Sequence, residues 1–251
     1  MKKIVVSIFF LFFISALSYA NLSISPSRVE ILIEKNQVFQ STYTLINNYD
    51  GDVDISVEVS DWNTYKGNGE VDARSWIKVT PEKFHLKKGE KKTVAFEVKT
   101  NESMTGSVSG MVSFSHKPPK NEGILVKISC SVYLTIRGTQ KIDFEISDIS
   151  ITKQENVFKA GVQINNNGNV HIRPSGNINI YDKKNKLAYT AKILEYHPVY
   201  AGSSAVCFSD KMDLKILKPG KYTADITINA LDKTISKKTE FRLKKDGSII
   251  Q

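Results

Sequence analysis

The sequence predicts an all-β protein made of two β-sandwich domains in tandem. Apolar and polar residues alternate with a period of two along most of the chain after residue 20, which is typical of strands with one buried face. Clusters of Asn, Asp, Gly and Pro interrupt the alternation about every 10 to 15 residues, as in sandwich proteins. The chain has 251 residues, of which 41% are hydrophobic, enough for two domains of about 100 residues that each bury a core. We therefore expect two immunoglobulin-like domains, and a single large barrel is the alternative.

The first 20 residues carry the pattern of a secretory signal peptide. Lys2 and Lys3 precede an apolar stretch from Ile4 to Leu17, and Ser18-Tyr19-Ala20 supplies the small residues of a cleavage site. The apolar run is shorter than the about 20 residues that cross a bilayer. We expect residues 1–20 to be removed and the mature chain to be exported without a stable membrane anchor. An uncleaved N-terminal anchor is the alternative.

The clearest strand of the first half runs from Ile124 to Ile136. Every second residue in it is apolar, so that seven apolar side chains share one face. At about 3.3 Å per residue such a strand is about 40 Å long, which is unusual in a globular domain. Two interpretations fit this row: an ordinary core strand, or a strand lent to another protein. Further strands are predicted at 22–26 and 29–33, interrupted by Pro26, and at 52–59 and 93–98.

The second half shows the same alternation. Strands are predicted at residues 143–151, 157–164, 176–181, 187–194, 211–217 and 221–228. A polar break at residues 137–141 separates the halves, so the predicted domains are residues 21–138 and 139–251. No segment has a sustained helical period.

The charge balance is basic. The formal net charge of +9 falls to +7 without residues 1–20, because that segment holds two lysines and no acidic residue. An exported protein rarely meets nucleic acid, so no nucleic-acid partner is expected. Lysines on solvated turns and strand edges explain the excess charge. A surface for an acidic partner or an anionic lipid is the alternative.

No residue pattern indicates catalysis, a metal or a cofactor. The histidines lack the spacings of metal sites, and no nucleophile or phosphate-binding motif occurs. These histidines are His85, His116, His171 and His197. We therefore expect no enzyme, no metal site and no cofactor.

The two cysteines, Cys130 and Cys207, fall one in each predicted domain. An exported protein meets oxidising conditions, so a bridge between the domains is one interpretation. Two buried thiols that act as small hydrophobic residues are the other.

Several short motifs follow one another in the order found in a known family. Ser27-Arg28-Val29 lies on an early strand, the next strand ends in Asn47-Asn48, Trp76 to Pro81 come later, and the long alternating strand closes on Arg137. In this order, the chain from Leu22 to Arg137 resembles the N-terminal domain of periplasmic pilus-assembly chaperones, the PapD-like proteins of the chaperone–usher pathway. Some of the family's positions hold other residues, so the resemblance implies a divergent member.

The resemblance implies a strand-donating site. Such chaperones lend a strand to an incomplete immunoglobulin-like subunit, and alternate apolar side chains of that strand fill the subunit's open groove. The residues that match the groove-filling row are Ile124, Val126, Ile128, Val132 and Leu134.

The resemblance also implies an anchor for the subunit's terminal carboxylate. Arg28 matches the anchoring arginine, whereas the position of the anchoring lysine holds Tyr133, which brings no charge. Arg137 matches an arginine that helps to fix the angle between the domains. The acidic partner expected for Arg137 aligns with Ser107, and Glu102 is the nearest substitute.

Together these features predict a non-enzymatic chaperone of the periplasm. It would bind pilus or surface-fibre subunits by donor-strand complementation and deliver them to an outer-membrane usher. The alternative is an envelope or surface structural protein whose immunoglobulin-like modules bind protein or polysaccharide.

Overall fold

The structure, a computed structural model of the chain, describes residues 21–62, 72–120, 123–154, 157–195, 197–213 and 216–251. It confirms the predicted fold class, because two β-sandwiches follow one another along the chain. The one helical element with bounds in these ranges is a 3-10 turn, Ala73–Ser75. The predicted signal peptide, residues 1–20, lies outside the described residues.

The N-terminal domain packs a four-stranded sheet against a five-stranded sheet. The first has the order β1 (Leu22–Ser25), β3 (Val38–Asn47), β7 (Lys91–Lys99) and β5 (Ile77–Thr80). The second has the order β2 (Arg28–Ile33), β9 (Val126–Ile136), β8 (Ser107–His116), β4 (Val53–Asp61) and β6 (Lys83–Leu86). The core lies between them, where the ring centroid of Tyr43 is 4.8 Å from that of Phe96 and 5.4 Å from that of Phe114.

The C-terminal domain has the same two-layer plan. Its three-stranded sheet has the order β10 (Phe144–Gln154), β11 (Val157–Asn166) and β14 (Ser204–Phe208). Its five-stranded sheet has the order β13 (Leu187–Ile193), β12 (Ser175–Asp182), β15 (Gly220–Ala230), β16 (Lys233–Leu243) and β17 (Ile249–Ile250).

One predicted strand of the C-terminal domain is corrected, and one long strand was missed. The strand expected at residues 211–217 does not form in the described part of that segment, where Met212 makes a single bridge with Phe158 and Ile216 is exposed. Met212 and Leu217 are buried and Ile216 is exposed, so the described apolar residues of this segment do not share one face. The sequence analysis also missed β16, because lysine, serine and threonine occupy most of its exposed positions.

The first strand of the chain changes sheets at Pro26, where the sequence predicted an interruption. β1 pairs antiparallel with β3 in one sheet, whereas β2 pairs parallel with β9 in the other. The parallel register runs from Arg28 opposite Ser131 to Ile33 opposite Ile136. β2 therefore covers only the second half of β9.

The two domains, joined by residues 137–143, contact each other around the start of β8. Gly106 has a φ of +65°, and a Cβ on it would lie 2.2 Å from the backbone oxygen of Asn169. The Ser107 N–H donates to that same oxygen at 2.9 Å, and the Ser107 hydroxyl accepts from the His171 N–H at 2.8 Å. A glycine is needed at 106 because both the backbone conformation and the close approach exclude a larger residue.

The interdomain role that the resemblance implies for Arg137 stays a prediction. The side chain of Arg137 is exposed and pairs with no side chain in the described ranges, while its backbone N–H donates to Ile33 at 2.8 Å. Glu102, the suggested acidic partner, instead accepts hydrogen bonds from Lys35 and Asn36. Ser107 thus makes contacts across the domain boundary that the sequence analysis did not predict.

Both cysteines are free thiols. Cys130 is buried in the N-terminal core, and Cys207 is partly buried against the C-terminal core. Burial raises the pKa of each thiol to about 11. The structure therefore agrees with the interpretation of two separate thiols and not with a bridge between the domains.

Candidate strand-binding edge and interdomain cleft

β9 carries an apolar row that is longer than the core it covers. The alternate residues from Cys130 to Ile136 are buried. Ile128 is mostly buried at the margin of the core, and Val126, at the start of the strand, is also mostly buried. Ile124, just before β9, is 50% exposed, and Leu125 beside it is exposed as well. The first part of the row therefore extends past its own sandwich.

The structure divides the predicted donor row into a buried part and an accessible part. Val132 and Leu134 have no exposed surface and belong to the core of the N-terminal domain. A side chain in that position cannot reach a partner while the domain stays folded. Ile124, Val126 and Ile128 are therefore the members of the predicted row that keep exposed surface.

The first half of β9 also has an open edge. On the side where β2 covers the second half, residues Val126 to Cys130 pair with no described strand. The Ser131 N–H points to this side, because it donates to the Ser27 carbonyl at 3.1 Å. Successive residues of a strand direct their backbone groups to alternate sides, so the N–H and C=O groups of Lys127 and Ser129 also point there. These groups are placed to pair with an added strand.

Arg28 stands where the open edge ends. It is the first residue of β2 and lies opposite Ser131. Its side chain is 49% exposed, with Nε 3.4 Å from Glu30 and Nη1 3.7 Å from Glu195 of the C-terminal domain. The predicted anchoring arginine therefore lies in the cleft between the domains, beside the end of the open edge.

A second arginine, which the sequence analysis missed, enters the cleft from the C-terminal domain. Arg173 is only 11% exposed, and its Nε donates to Glu30 Oε1 at 2.8 Å and lies 3.9 Å from Glu195 Oε1. Arg28, Arg173, Glu30 and Glu195 thus form one group of two cations and two anions, which we call the charge quartet. Each domain contributes one residue of each sign.

Tyr133 lies beneath this quartet, at the position where the resemblance implies a lysine. It is buried, and the Arg173 guanidinium carbon lies 4.9 Å from the centre of its ring. Its hydroxyl is 3.4 Å from that of Tyr200, whose pKa is raised by burial and by this hydrogen bond. A positive charge therefore lies over the Tyr133 ring, in a cation–π contact with Arg173.

His171 does not add to the positive charge of the cleft. Its ring centroid lies 4.8 Å from that of Tyr133. Burial lowers the pKa of His171 to about 4, although the Glu30 charge opposes the shift. The imidazole is consequently neutral near pH 7, and the two arginines are the cations of the cleft.

One compositional signal could have drawn attention to Arg173. Only five of the 35 basic residues are arginines, and the rest are lysines. Arginine differs from lysine in its planar guanidinium, which binds carboxylates with two donors and stacks on aromatic rings. Two of the five arginines meet in this cleft.

No group of three or more His, Cys, Asp or Glu side chains in the described ranges is arranged to hold a metal ion. No helix of the described chain is both long and apolar enough to span a membrane.

No protein-family model and no curated protein sequence matches the chain. Among solved structures, it is similar to the YadV chaperone, with 12% identity, a TM-score of 0.49 and coverage of 88% of this chain and 100% of that one. It is also similar to the CupB2 chaperone of Pseudomonas aeruginosa, at 10% identity, a TM-score of 0.47 and coverage of 86% and 98%. A third is the CsuC–CsuE chaperone–tip adhesion subunit complex of Acinetobacter baumannii, at 14% identity, a TM-score of 0.47 and coverage of 87% and 98%. The likeness is one of fold.

Proposed function

We propose that this protein is a periplasmic chaperone that lends the open edge of β9 to the last strand of an exported pilus or surface-fibre subunit. One observation carries the proposal. The apolar row of β9 runs beyond its own core, along an unpaired edge that ends at Arg28. Delivery of the subunit to an outer-membrane usher is the part that the sequence resemblance alone supports.

The chain direction of β2 indicates in which direction a partner strand would run along β9. β2 runs parallel to β9 and begins at Arg28. A partner strand on the open edge in the same direction ends at that point, with its α-carboxylate beside Arg28 and near Arg173. A strand in the opposite direction would bring its N-terminal end to the same cations. Charge-assisted hydrogen bonds to guanidinium groups favour the carboxylate.

The apolar side chains of the row supply the rest of the contact. Ile124, Val126 and Ile128 stand two residues apart, a repeat of about 6.6 Å, which matches the side-chain spacing of a missing strand. Complete burial of one such side chain contributes about 1.5–3 kcal/mol relative to full exposure. Because Val126 and Ile128 are already mostly buried, each would add about a third of that or less.

A peptide pair tests the anchor. The probe is a short acetylated peptide of alternating valine and threonine, made with a free C-terminal carboxylate and with an amide. The acid form should protect the Lys127 and Ser129 amides from hydrogen exchange, as measured by NMR. Arg28→Ala should weaken its binding by about 1–2 kcal/mol, or about 5- to 30-fold, since the arginine is half-exposed. Arg137→Ala is the matched control and should bind as the unmodified protein does. Equal binding of acid and amide, with no effect of Arg28→Ala, would refute the proposal.

A second pair of variants tests the donated row. Ile124→Asp should abolish peptide binding and leave the fold intact, because this side chain is half-exposed before the peptide binds. Leu134→Asp should instead unfold the domain, because a charge would be buried in the core. Circular dichroism and the same exchange measurement distinguish the two. Unchanged binding by Ile124→Asp would show that the row makes no contact with the peptide.

A further inference from the structure

We propose that Glu195 acts as an internal carboxylate that holds the cleft in the free protein and is displaced when a partner's terminal carboxylate binds. The inference rests on the proposed function, in which Arg28 anchors the partner's carboxylate, and adds that Glu195 competes with this carboxylate for Arg28. It makes Glu195 a residue that sets the affinity for the partner.

The two carboxylates of the charge quartet are held with different strength. Glu30 Oε1 lies 2.8 Å from Arg173 and 3.4 Å from Arg28. Glu195 Oε1 lies 3.9 Å and 3.7 Å from the same two guanidinium groups. Only the Glu30–Arg173 contact has the length of a charge-assisted hydrogen bond. The Glu195 contacts are long and therefore the weaker pair.

The backbone positions support the same distinction. Glu30 lies within β2, directly opposite Tyr133 of β9, so its backbone is fixed by the sheet. Glu195 follows the last residue of β13, Ile193, by two positions, and its side chain is 48% exposed. Movement of Glu195 into water breaks no strand pairing, whereas movement of Glu30 would also break its short bond to Arg173.

Charge balance explains why one carboxylate has to leave. The quartet holds two positive and two negative charges, and the neighbouring His171 is neutral near pH 7. A partner's carboxylate that entered this neutral group would make it negative and would meet like charges at close range. If Glu195 moves into water as the partner enters, the group keeps two positive and two negative charges, and Arg28 no longer pairs with Glu195.

The competition has a measurable cost for binding. A site that is closed for part of the time binds with an affinity reduced by the fraction of open molecules. Two long ion pairs made by the half-exposed Glu195 close such a site by a factor of about 3 to 30. Removing the charge of Glu195 should recover this factor.

The experiment uses the acid and amide peptides on the full chain, by titration in NMR or calorimetry. Glu195→Gln should bind the acid about 3- to 30-fold more tightly and the amide unchanged. Glu240→Gln, an exposed residue of β16 far along the chain from the cleft residues, is the matched control. Thermal unfolding of Glu195→Gln checks that the domains remain folded, and Glu195→Ala should give the same gain if charge is the cause.

The outcomes separate the two proposals. If the unmodified protein prefers the acid but Glu195→Gln and Glu195→Ala bind it no more tightly, the competitor role is refuted and the anchor remains. If the unmodified protein binds acid and amide alike, the anchor itself fails, and the competitor role fails with it.

Discussion

Replacing Arg173 with glutamine tests whether the charge quartet holds the two domains together. Arg173 is nearly buried, donates to Glu30 at 2.8 Å and lies 4.9 Å over the ring of Tyr133. Glutamine keeps part of the length and one donor group but removes the charge and the guanidinium plane. The two closest contacts that are lost, to Glu30 and to Tyr133, both join one domain to the other.

The expected loss of stability follows from these two contacts. A hydrogen bond to a charged group contributes about 1.5–3 kcal/mol, and a partly desolvated cation–π contact about 1–2 kcal/mol. Glu30 is partly exposed, so water and the glutamine amide replace some of the bond. We expect a net loss of about 2–3 kcal/mol, which corresponds to a fall in the melting temperature of about 4–12 °C for a unit of this size.

Differential scanning calorimetry measures this shift, and the chain offers a close control. Arg74 makes an ion pair of similar length with Asp72, 2.7 Å, but its side chain is 73% exposed. Arg74→Gln should therefore change the melting temperature little, because water screens an exposed pair. Arg173→Lys should fall between the two, since it keeps the charge and loses the stacked plane. If Arg173→Gln and Arg74→Gln have the same melting temperature, the burial and stacking of Arg173 contribute nothing to stability and the reasoning is wrong.

Two further predictions concern the contact between the domains. Gly106→Ala should cost about 2–4 kcal/mol in thermal unfolding, because a left-handed backbone cost of about 1–2 kcal/mol adds to a Cβ placed 2.2 Å from a backbone oxygen. Gly89→Ala, with a φ of +72° and open space around the new Cβ, should show the backbone cost alone, and equal losses would contradict the clash. His171 should titrate at about pH 4 by NMR, whereas the carboxylates of Asp54 and Asp52 should raise the pKa of His85. Because the pKa of His171 in the folded protein lies below the ordinary 6.5, the buried neutral imidazole contributes its full stability above pH 6.5, and this stability is lost as the pH falls towards 4. A titration midpoint of His171 near 6.5 would contradict its burial.

The fold could be predicted from the sequence because the period of two is a local property. Each strand with one buried face shows the alternation in its own residues, and Pro26 shows locally where pairing is interrupted. β16 escaped this reasoning, since Lys233, Lys237 and Thr239 interrupt the apolar row of its inward positions. Residues 211–217 had a local pattern that the packing of Met212 and Ile216 does not follow.

The site could be predicted only in part. The apolar row of β9 is visible in the sequence, but the row alone does not say which end is covered. That depends on where β2 joins the sheet, which buries Val132 and Leu134 and leaves Val126 at an open edge. Arg173 could not be placed by any local rule, because it reaches the cleft from the other domain.

The edge of β9 is open at one end and closed at the other. β2 takes over the hydrogen-bonding positions from Ser131 onward, so an added strand cannot continue past Arg28 without leaving the sheet. An internal segment of a polypeptide always continues, whereas a C-terminal segment stops. Under the proposed function, the partner's last strand would have to end at Arg28, and a subunit with extra residues after that strand would not fit this edge.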